Sequence, residues 1–318
     1  MNPSAGGGRA RRAAPRVERT LRELGLEVRR EDTRELDHAR ELARDAARAG
    51  ETVAVLSGDG MIGAVADVLR EIPGAVLGIL PGGRGNDLAR VLAIPQDPLA
   101  ACTTIAHGAA RTIDLGEAGG RAFVGIASAG FDSDANRIAN EAPSRLGNLV
   151  YAYGALRALV AWRPARFEIE LHPSGERHAF TGYTIAAASS RAYGGGMLLA
   201  PAAMLDDGQL DVVAIERVSK LRFLANLPKV FSGAHVELPS VRVFRAAAVS
   251  ISADRPFTLY ADGDPVGELP MRVRALPAAV TVLVPANPAA DAAFCGPPPA
   301  SSVATGVRLA ALDPPRVQ

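Results

Sequence analysis

The stretch VAVLSGDGMIGAVADVLREIPGAVLGILPGGRGND, residues 53–87, decides the fold. It holds two short apolar runs, Val53-Ala54-Val55-Leu56 and Val76-Leu77-Gly78-Ile79-Leu80, and each enters a glycine-rich turn followed by a helical pattern. A strand that is apolar along its whole length suits burial on both faces, as inside a parallel sheet covered by helices. Upstream, Arg34 to Arg48 carry Leu36, Ala39, Leu42, Ala43 and Ala46 at helical spacing, with Gly50 as the stop. Arg16 to Leu24 predict another helix, ended by Gly25, and Leu26 to Arg30 a short strand. The alternation predicts an N-terminal, doubly wound parallel α/β domain over residues 1–112. A sheet of this type would place a strand ahead of the loop at Met1-Asn2-Pro3, so either the start lies upstream or that element is missing.

After Thr112 the pattern changes. Phe167-Ile169-Leu171, Val249-Ile251 and Phe257-Leu259 alternate with polar or small neighbours, as half-buried antiparallel strands do. Further strands are expected at Leu210–Ile215, Arg272–Ala275 and Val280–Val284, with helical interruptions near 135–162 and 219–233. Residues 113–285 thus predict a β-rich, sandwich-like second domain. From Pro285 the composition is Pro, Ala and Ser with little pattern, and residues 286–318 are expected to be a disordered tail.

The 318 residues are 48% hydrophobic with a formal charge of +1, which argues against a protein that coats nucleic acid. Cys102 and Cys295 lie far apart, as unpaired thiols of a reducing cytosol would, and the five histidines suggest no metal cage. The chain opens polar and glycine-rich, so no signal peptide is expected in it. Its longest apolar run, Leu149 to Trp162, is broken by Arg157 and falls short of the ~20 residues that span a bilayer. A buried helix or an interfacial one would account for it. The expected location is cytoplasmic, with peripheral contact on the inner face of the membrane left open.

Three glycine-rich loops carry the chemistry: Asn2-Pro3-Ser4-Ala5-Gly6-Gly7-Gly8, Ser57-Gly58-Asp59-Gly60 and Pro81-Gly82-Gly83-Arg84-Gly85-Asn86-Asp87. Glycine lets backbone approach a phosphate closely, and helix N-termini supply N–H donors. Each loop alone reads more readily as a tight turn; three at the carboxyl ends of neighbouring strands can converge on one crevice that holds a polyphosphate. None fits the Walker or dinucleotide pattern. Asp59, between two glycines at a strand end, suits a nucleotide-bound Mg²⁺ or a proton, or an Asx turn. Asp206-Asp207-Gly208 and Asp262-Gly263-Asp264 add carboxylates at steps that also read as plain hairpin turns. Phosphoryl transfer to a neutral alcohol needs a carboxylate to accept the hydroxyl proton, and Asp264 is the candidate.

NPSAGGG, SGDG, PGGRGNDLAR, GIASAGFDSDANRIA, YGGGMLLAPAAMLDDGQLDV and YADGD stand in one order. That ordered set resembles the diacylglycerol kinase catalytic-domain family, which includes bacterial lipid kinases, is related to sphingosine kinases and shares a fold with NAD kinases. The likeness spans roughly residues 1–285. It implies an ATP-dependent lipid kinase that phosphorylates a lipid hydroxyl at the membrane surface, with diacylglycerol converted to phosphatidic acid, and with Mg²⁺ as cofactor. By the same resemblance, Asn2, Pro3, Ser4, Ala5 and Gly6 would touch the nucleotide phosphates and Thr33 would lie near the nucleotide. Gly58, Asp59 and Gly60 match the family's GDG, Asn86 and Asp87 its ND, Asp207 a position that helps hold a structural Mg²⁺, and Asp264 the Glu of DGE.

The sequence departs from the family at several positions. SGDGMIGA stands for GGDGTxNE, so Met61, Gly63 and Ala64 replace Thr, Asn and Glu. Arg84 replaces the Thr of PxGTxND, where its guanidinium can meet a phosphate directly. Asp264 is one methylene shorter than Glu. A catalytically impaired nucleotide or lipid sensor of the same fold is therefore an alternative, as is a sphingoid-base kinase; YGGGMLLAPAAMLDDG argues against an NAD kinase. A homodimer stays open.

Overall fold

The computed structural model describes residue 1 and residues 5–131, 162–296 and 308–309. Helix α1 (Ala5–Glu23) opens with Gly6, Gly7 and Gly8 at φ 59°, 66° and 82°, so its regular turns begin only after them. Then come β1 (Glu27–Val28), α2 (Leu36–Arg48), β2 (Val53–Ser57), α3 (Asp59–Leu69), β3 (Val76–Pro81), α4 (Asp87–Val91) and α5 (Pro98–His107). The expected βα alternation is present. Strands β2 and β3 pair in parallel from Val53–Leu77 to Ser57–Pro81, while α1 packs on α5 and α2 on α3. Ile62, Leu77 and Ile79 are wholly buried between these layers. Each such side chain contributes about 1.5–3 kcal/mol by leaving water. Among the described residues β3 is the only strand paired with β2, and a narrow apolar cavity of about 110 Å³, lined in part by Val17, Leu21, Ala43 and Val53, runs beside it.

The second region contains β4 (Ala109–Ala118), β5 (Arg121–Phe123), β6 (Ile126–Gly130), β7 (Ala165–His172), β8 (Arg177–Ala188) and β9 (Leu210–Glu216). Helix α6 (Lys220–Ser232) and a 3₁₀ turn (Ala234–Glu237) precede β10 (Val241–Ala246), β11 (Ala248–Ala253), β12 (Thr258–Ala261), β13 (Asp264–Glu268) and β14 (Met271–Val284). Period-two patterning is clearest in β7, where Ala165, Phe167, Ile169 and Leu171 are buried and Arg166 and Glu168 are exposed. Hydrogen bonding runs in the order β13-β12-β6-β8-β7-β11-β14-β3-β2, with β9 and β10 beyond β8, and β4 and β5 beside β14. Pairing is antiparallel as far as β14 and parallel from β14 to β3 and β2.

Strand β14 joins the two regions. The separate strands expected at Arg272–Ala275 and Val280–Val284 are one element with a register shift between Leu276 and Val280. Its first part pairs with β11, its last part with β3, and β4 follows it along both. The Thr112 boundary falls inside β4, and Val280, Val282, Leu283 and Val284 belong to the core of the first region.

The tail expected from Pro285 onward is packed as far as Gly296. Helix α7 (Pro288–Asp291) brings Ala290, Ala293 and Phe294 into the first core. The Arg111 guanidinium lies 3.8 Å from the Phe294 ring centre and donates to the Gly296 carbonyl at 2.8 Å and to Asp291 at 3.3 Å. A few apolar side chains and one cation–π contact hold a segment whose composition reads as unstructured. Farther on, β15 (Arg308–Leu309) lies parallel to β1. The expected helix over 135–162 and the apolar run Leu149–Trp162 lie outside the described residues, apart from Trp162.

Candidate active site

The glycine loops meet because they have no side chains. A Cβ on Gly6 would sit 2.5 Å from the Gly82 carbonyl oxygen, and one on Gly83 would sit 2.5 Å from the Gly58 Cα. Both obstacles are backbone and cannot swing aside, so the first loop, the SGDG turn and the PGG turn touch only as glycines. Between them lies a cleft of about 450 Å³, lined among others by Ala5, Gly6, Thr33, Arg34, Gly58, Asp59, Gly60, Gly83 and Asp264. The first turn of α3 faces this space, directing N–H donors and the positive end of the helix dipole into it. Arg9, outside the cleft lining, donates to the Gly83 carbonyl at 3.5 Å, and Arg34 brings a cation to the cleft.

Asp59 is fixed by the loop it faces. Its Oδ2 accepts the Asp87 N–H at 3.0 Å and its Oδ1 the Leu88 N–H at 3.1 Å, which ties the start of α3 to the start of α4. Each oxygen keeps a second lone pair. Asn86 holds the PGGRGND turn, with φ at 53° and its Oδ1 accepting the Gly83 N–H at 2.8 Å. Asp87 reaches the second region, where its Oδ2 accepts the Gly195 N–H at 2.9 Å. Burial raises its pKa, and the nearby Asp59 charge adds to this; its buried Oδ1 has no hydrogen-bond partner. Arg84 is exposed and is not part of the cleft lining. Thr33 donates its N–H and hydroxyl to the Met1 carbonyl at 2.8 and 3.1 Å while lining the cleft. Asn2, Pro3 and Ser4 lie outside the described residues.

The opposite wall comes from the β12–β13 hairpin. Asp262 and Gly263 form its two-residue loop, both at positive φ (50° and 91°), as a twisted hairpin requires. The turn reading of this DG step is therefore correct, and the carboxylates still do separate work. Asp264 projects into the cleft, half exposed, with Oδ2 3.9 Å from Arg121 and 3.6 Å from where a Gly60 Cβ would lie. Asp262 turns inward and accepts the N–H groups of Val124, Gly125 and Ile126 at 2.8, 2.9 and 3.2 Å. Desolvation pushes its pKa up to about 7 against those three donors, and the Asp59 charge acts in the same direction. Its Oδ2 also lies 3.2 Å from where a Gly63 Cβ would be, so the carboxylate closely faces the glycine that stands for the family's Asn. Asp262, Arg34 and Gly195 were not assigned site roles from the sequence. The only advance signal for Asp262 was a second acidic residue in YADGD.

Asp207 lies elsewhere, in the turn ahead of β9 and facing Arg245 of β10. Its Oδ1 accepts the Gln209 N–H at 2.9 Å and its Oδ2 pairs with Arg245, whose Nε is also 3.5 Å from Asp211. Nearby, Asp114 accepts N–H groups from Gly208 and Ala278. Among the described residues no group of three or more His, Cys, Asp or Glu side chains is arranged to hold a metal. Arg245 pairs with Asp207 and is also the cation nearest Asp211, so a structural Mg²⁺ on Asp207 would have to compete with that guanidinium. Arg245→Ala is expected to lower the melting temperature by several degrees, since it removes the cation facing part-buried Asp207 and buried Asp211. Wild type should melt at the same temperature in millimolar Mg²⁺ and in EDTA; a clear Mg²⁺-dependent rise in scanning calorimetry would contradict the assignment.

Comparison with known proteins gives the same two-part organisation. Residues 1–118 match the diacylglycerol kinase catalytic domain, and residues 125–284 match the YegS C-terminal NAD kinase beta sandwich-like domain. The chain is 36% identical to a diacylglycerol kinase of Mycobacterium tuberculosis, over 89% of this chain and 93% of the relative. It is 29% identical to a probable YegS-like lipid kinase of Chromohalobacter salexigens, over 77% and 79%. A crystal structure described as a diacylglycerol kinase from Bacillus anthracis superimposes with a TM-score of 0.70 over 91% of this chain and 96% of that one; at 20% identity this likeness speaks for the fold.

Proposed function

Because this chain belongs to the diacylglycerol kinase family, we propose that it transfers the terminal phosphoryl group of ATP to a lipid hydroxyl, converting diacylglycerol to phosphatidic acid. The observation that carries this reading is the cleft itself, in which one wall is a cradle of glycine loops and the other presents Asp264. The backbone N–H groups of the loops, with Arg34, hold the phosphates. Asp264 accepts the hydroxyl proton as the lipid oxygen bonds to the terminal phosphorus and the bond to the ADP oxygen breaks. Little else is needed, since this class of reaction depends mainly on alignment and charge neutralisation.

A nucleotide-bound Mg²⁺ fits the residues present. Asp59 lines the cleft with lone pairs to spare, and the buried Asp87 Oδ1 lacks a donor. Asp59 is the residue that would hold the ion, directly or through water, and Asp87 would support it from behind. The ion supplies neutralisation of phosphate charge. Asp59 itself orients the α4 loop, and Asn86 keeps the PGG turn closed.

The test is a panel of detergent-dispersed acceptors incubated with purified protein, Mg²⁺ and ATP labelled in the terminal phosphate. Labelled phosphatidic acid is the expected product. Label in a sphingoid base alone would reassign the acceptor, and nucleotide binding with no labelled lipid would favour the sensor.

A further inference from the structure

Helix α6 is built to be held on one side and left open on the other. Ser219 caps its start by accepting the Arg222 N–H at 3.3 Å, and Gly233 at φ 77° ends it. Phe223 and Val230 anchor the inner face. The Phe223 ring lies 4.1 Å from that of Tyr183 and 4.9 Å from that of Phe131, centre to centre.

The outer face is apolar. Leu221 is 82% exposed, Phe231 58% and Leu224 43%, and these are three of the four large hydrophobic side chains exposed among the described residues. At about 100° per residue the three fall within an arc of roughly 80°, with exposed Pro228 inside it. Lys220 borders this arc on one side; Arg222 and Lys229 border it on the other. Arg217 to Gly233 contains four cations and no carboxylate. Lys220 and Lys229 are also the only lysines in the 318 residues; every other Lys or Arg position is arginine. A lysine has a long apolar stem that lies along a hydrocarbon surface while its ammonium group reaches the headgroups.

We propose that α6 docks this protein on a membrane carrying anionic phospholipid, with Leu221, Leu224 and Phe231 entering the interface and Lys220, Arg222 and Lys229 meeting headgroup phosphates. An apolar stripe edged by cations matches the two layers of such a surface, hydrocarbon beneath negative charge. A protein partner would be expected to present carboxylates to the cations, and a second copy of α6 would set like charges against each other. The proposal rests on the lipid-kinase reading only for its purpose; the surface exists whether or not a phosphate is transferred.

The test is co-sedimentation of the full chain with sucrose-loaded vesicles, without nucleotide. Equimolar phosphatidylcholine and phosphatidylglycerol vesicles are compared with phosphatidylcholine alone, at low and high salt. Wild type is expected to bind the mixed vesicles and to be released by salt. Leu221→Ser/Leu224→Ser/Phe231→Ser and Lys220→Gln/Arg222→Gln/Lys229→Gln should each weaken binding at least about tenfold. Both variants should keep the wild-type circular dichroism and wild-type phosphorylation of a short-chain acceptor in detergent. Undiminished vesicle binding by both variants, or no vesicle binding by wild type, would overturn the proposal. So would a wild-type dimer in sedimentation velocity that the apolar triple variant dissociates. Loss of detergent activity in wild type would instead count against the kinase reading and leave the docking result standing.

Discussion

Asp59→Ala should reduce phosphoryl transfer to lipid by about a hundredfold to a thousandfold, the scale on which removal of one preorganised electrostatic group acts. Two consequences arise from one side chain. The cleft loses the carboxylate placed to meet a phosphate-bound cation. The Asp87 and Leu88 N–H groups lose their acceptor, so the PGGRGND turn is no longer held to the start of α3. Hydrogen bonds to a charged acceptor are worth about 1.5–3 kcal/mol each, so the melting temperature should also fall. The cores do not depend on Asp59, and a cooperative transition should remain. Asp59→Asn separates the two effects, because the amide oxygen still accepts a backbone bond while the charge is gone. It should recover part of the lost stability but little activity. Turnover of Asp59→Ala near the wild-type level would remove Asp59 from the mechanism.

The second large effect is expected at Asp264. Asp264→Asn cannot accept a proton, and kcat should fall by about two to four orders of magnitude with the KM for ATP nearly unchanged. Asp264 is half exposed at a hairpin end and supports no buried network, so the melting temperature should hardly move. That combination separates a proton acceptor from a structural residue. Asp264→Glu lengthens the reach by one methylene and should retain activity within about tenfold of wild type. An equal loss in the Asn and Glu variants would mean that shape rather than proton transfer is at stake.

Much of this arrangement was legible in the sequence, for physical reasons. The Val53 and Val76 runs announce buried parallel strands because nothing in them is suited to water. Three glycine loops at adjacent strand ends have few ways to be arranged other than against one another. The resemblance then assigned Asp59 and Asp264 to one site, and the cleft contains both. What escaped depends on contacts between residues distant in the chain. Arg245 and Asp207 are 38 positions apart, and no local pattern tells a carboxylate that faces an arginine from one that faces a metal. Asp262 resembles any turn residue until Val124 and Gly125, just before β6, and Ile126, its first residue, supply three N–H groups to its carboxylate. Residues 286–296 read as disordered because Pro and Ala carry little periodicity, yet Phe294 needs only Arg111 and a recess in the first core to be fixed. The merging of two expected strands into β14 hides behind Leu276–Val280, where the register shifts while the chain direction holds.

The central claim is that the cleft between the glycine loops and Asp264 carries out phosphoryl transfer to a lipid. Its most direct test follows the terminal phosphate of labelled ATP into dispersed diacylglycerol, with wild type and Asp59→Ala compared at equal concentration and with nucleotide binding measured on the same samples. The expected result is labelled phosphatidic acid from wild type and almost none from the variant. Wild type that binds ATP in this cleft but labels neither diacylglycerol nor any other lipid alcohol would contradict the claim.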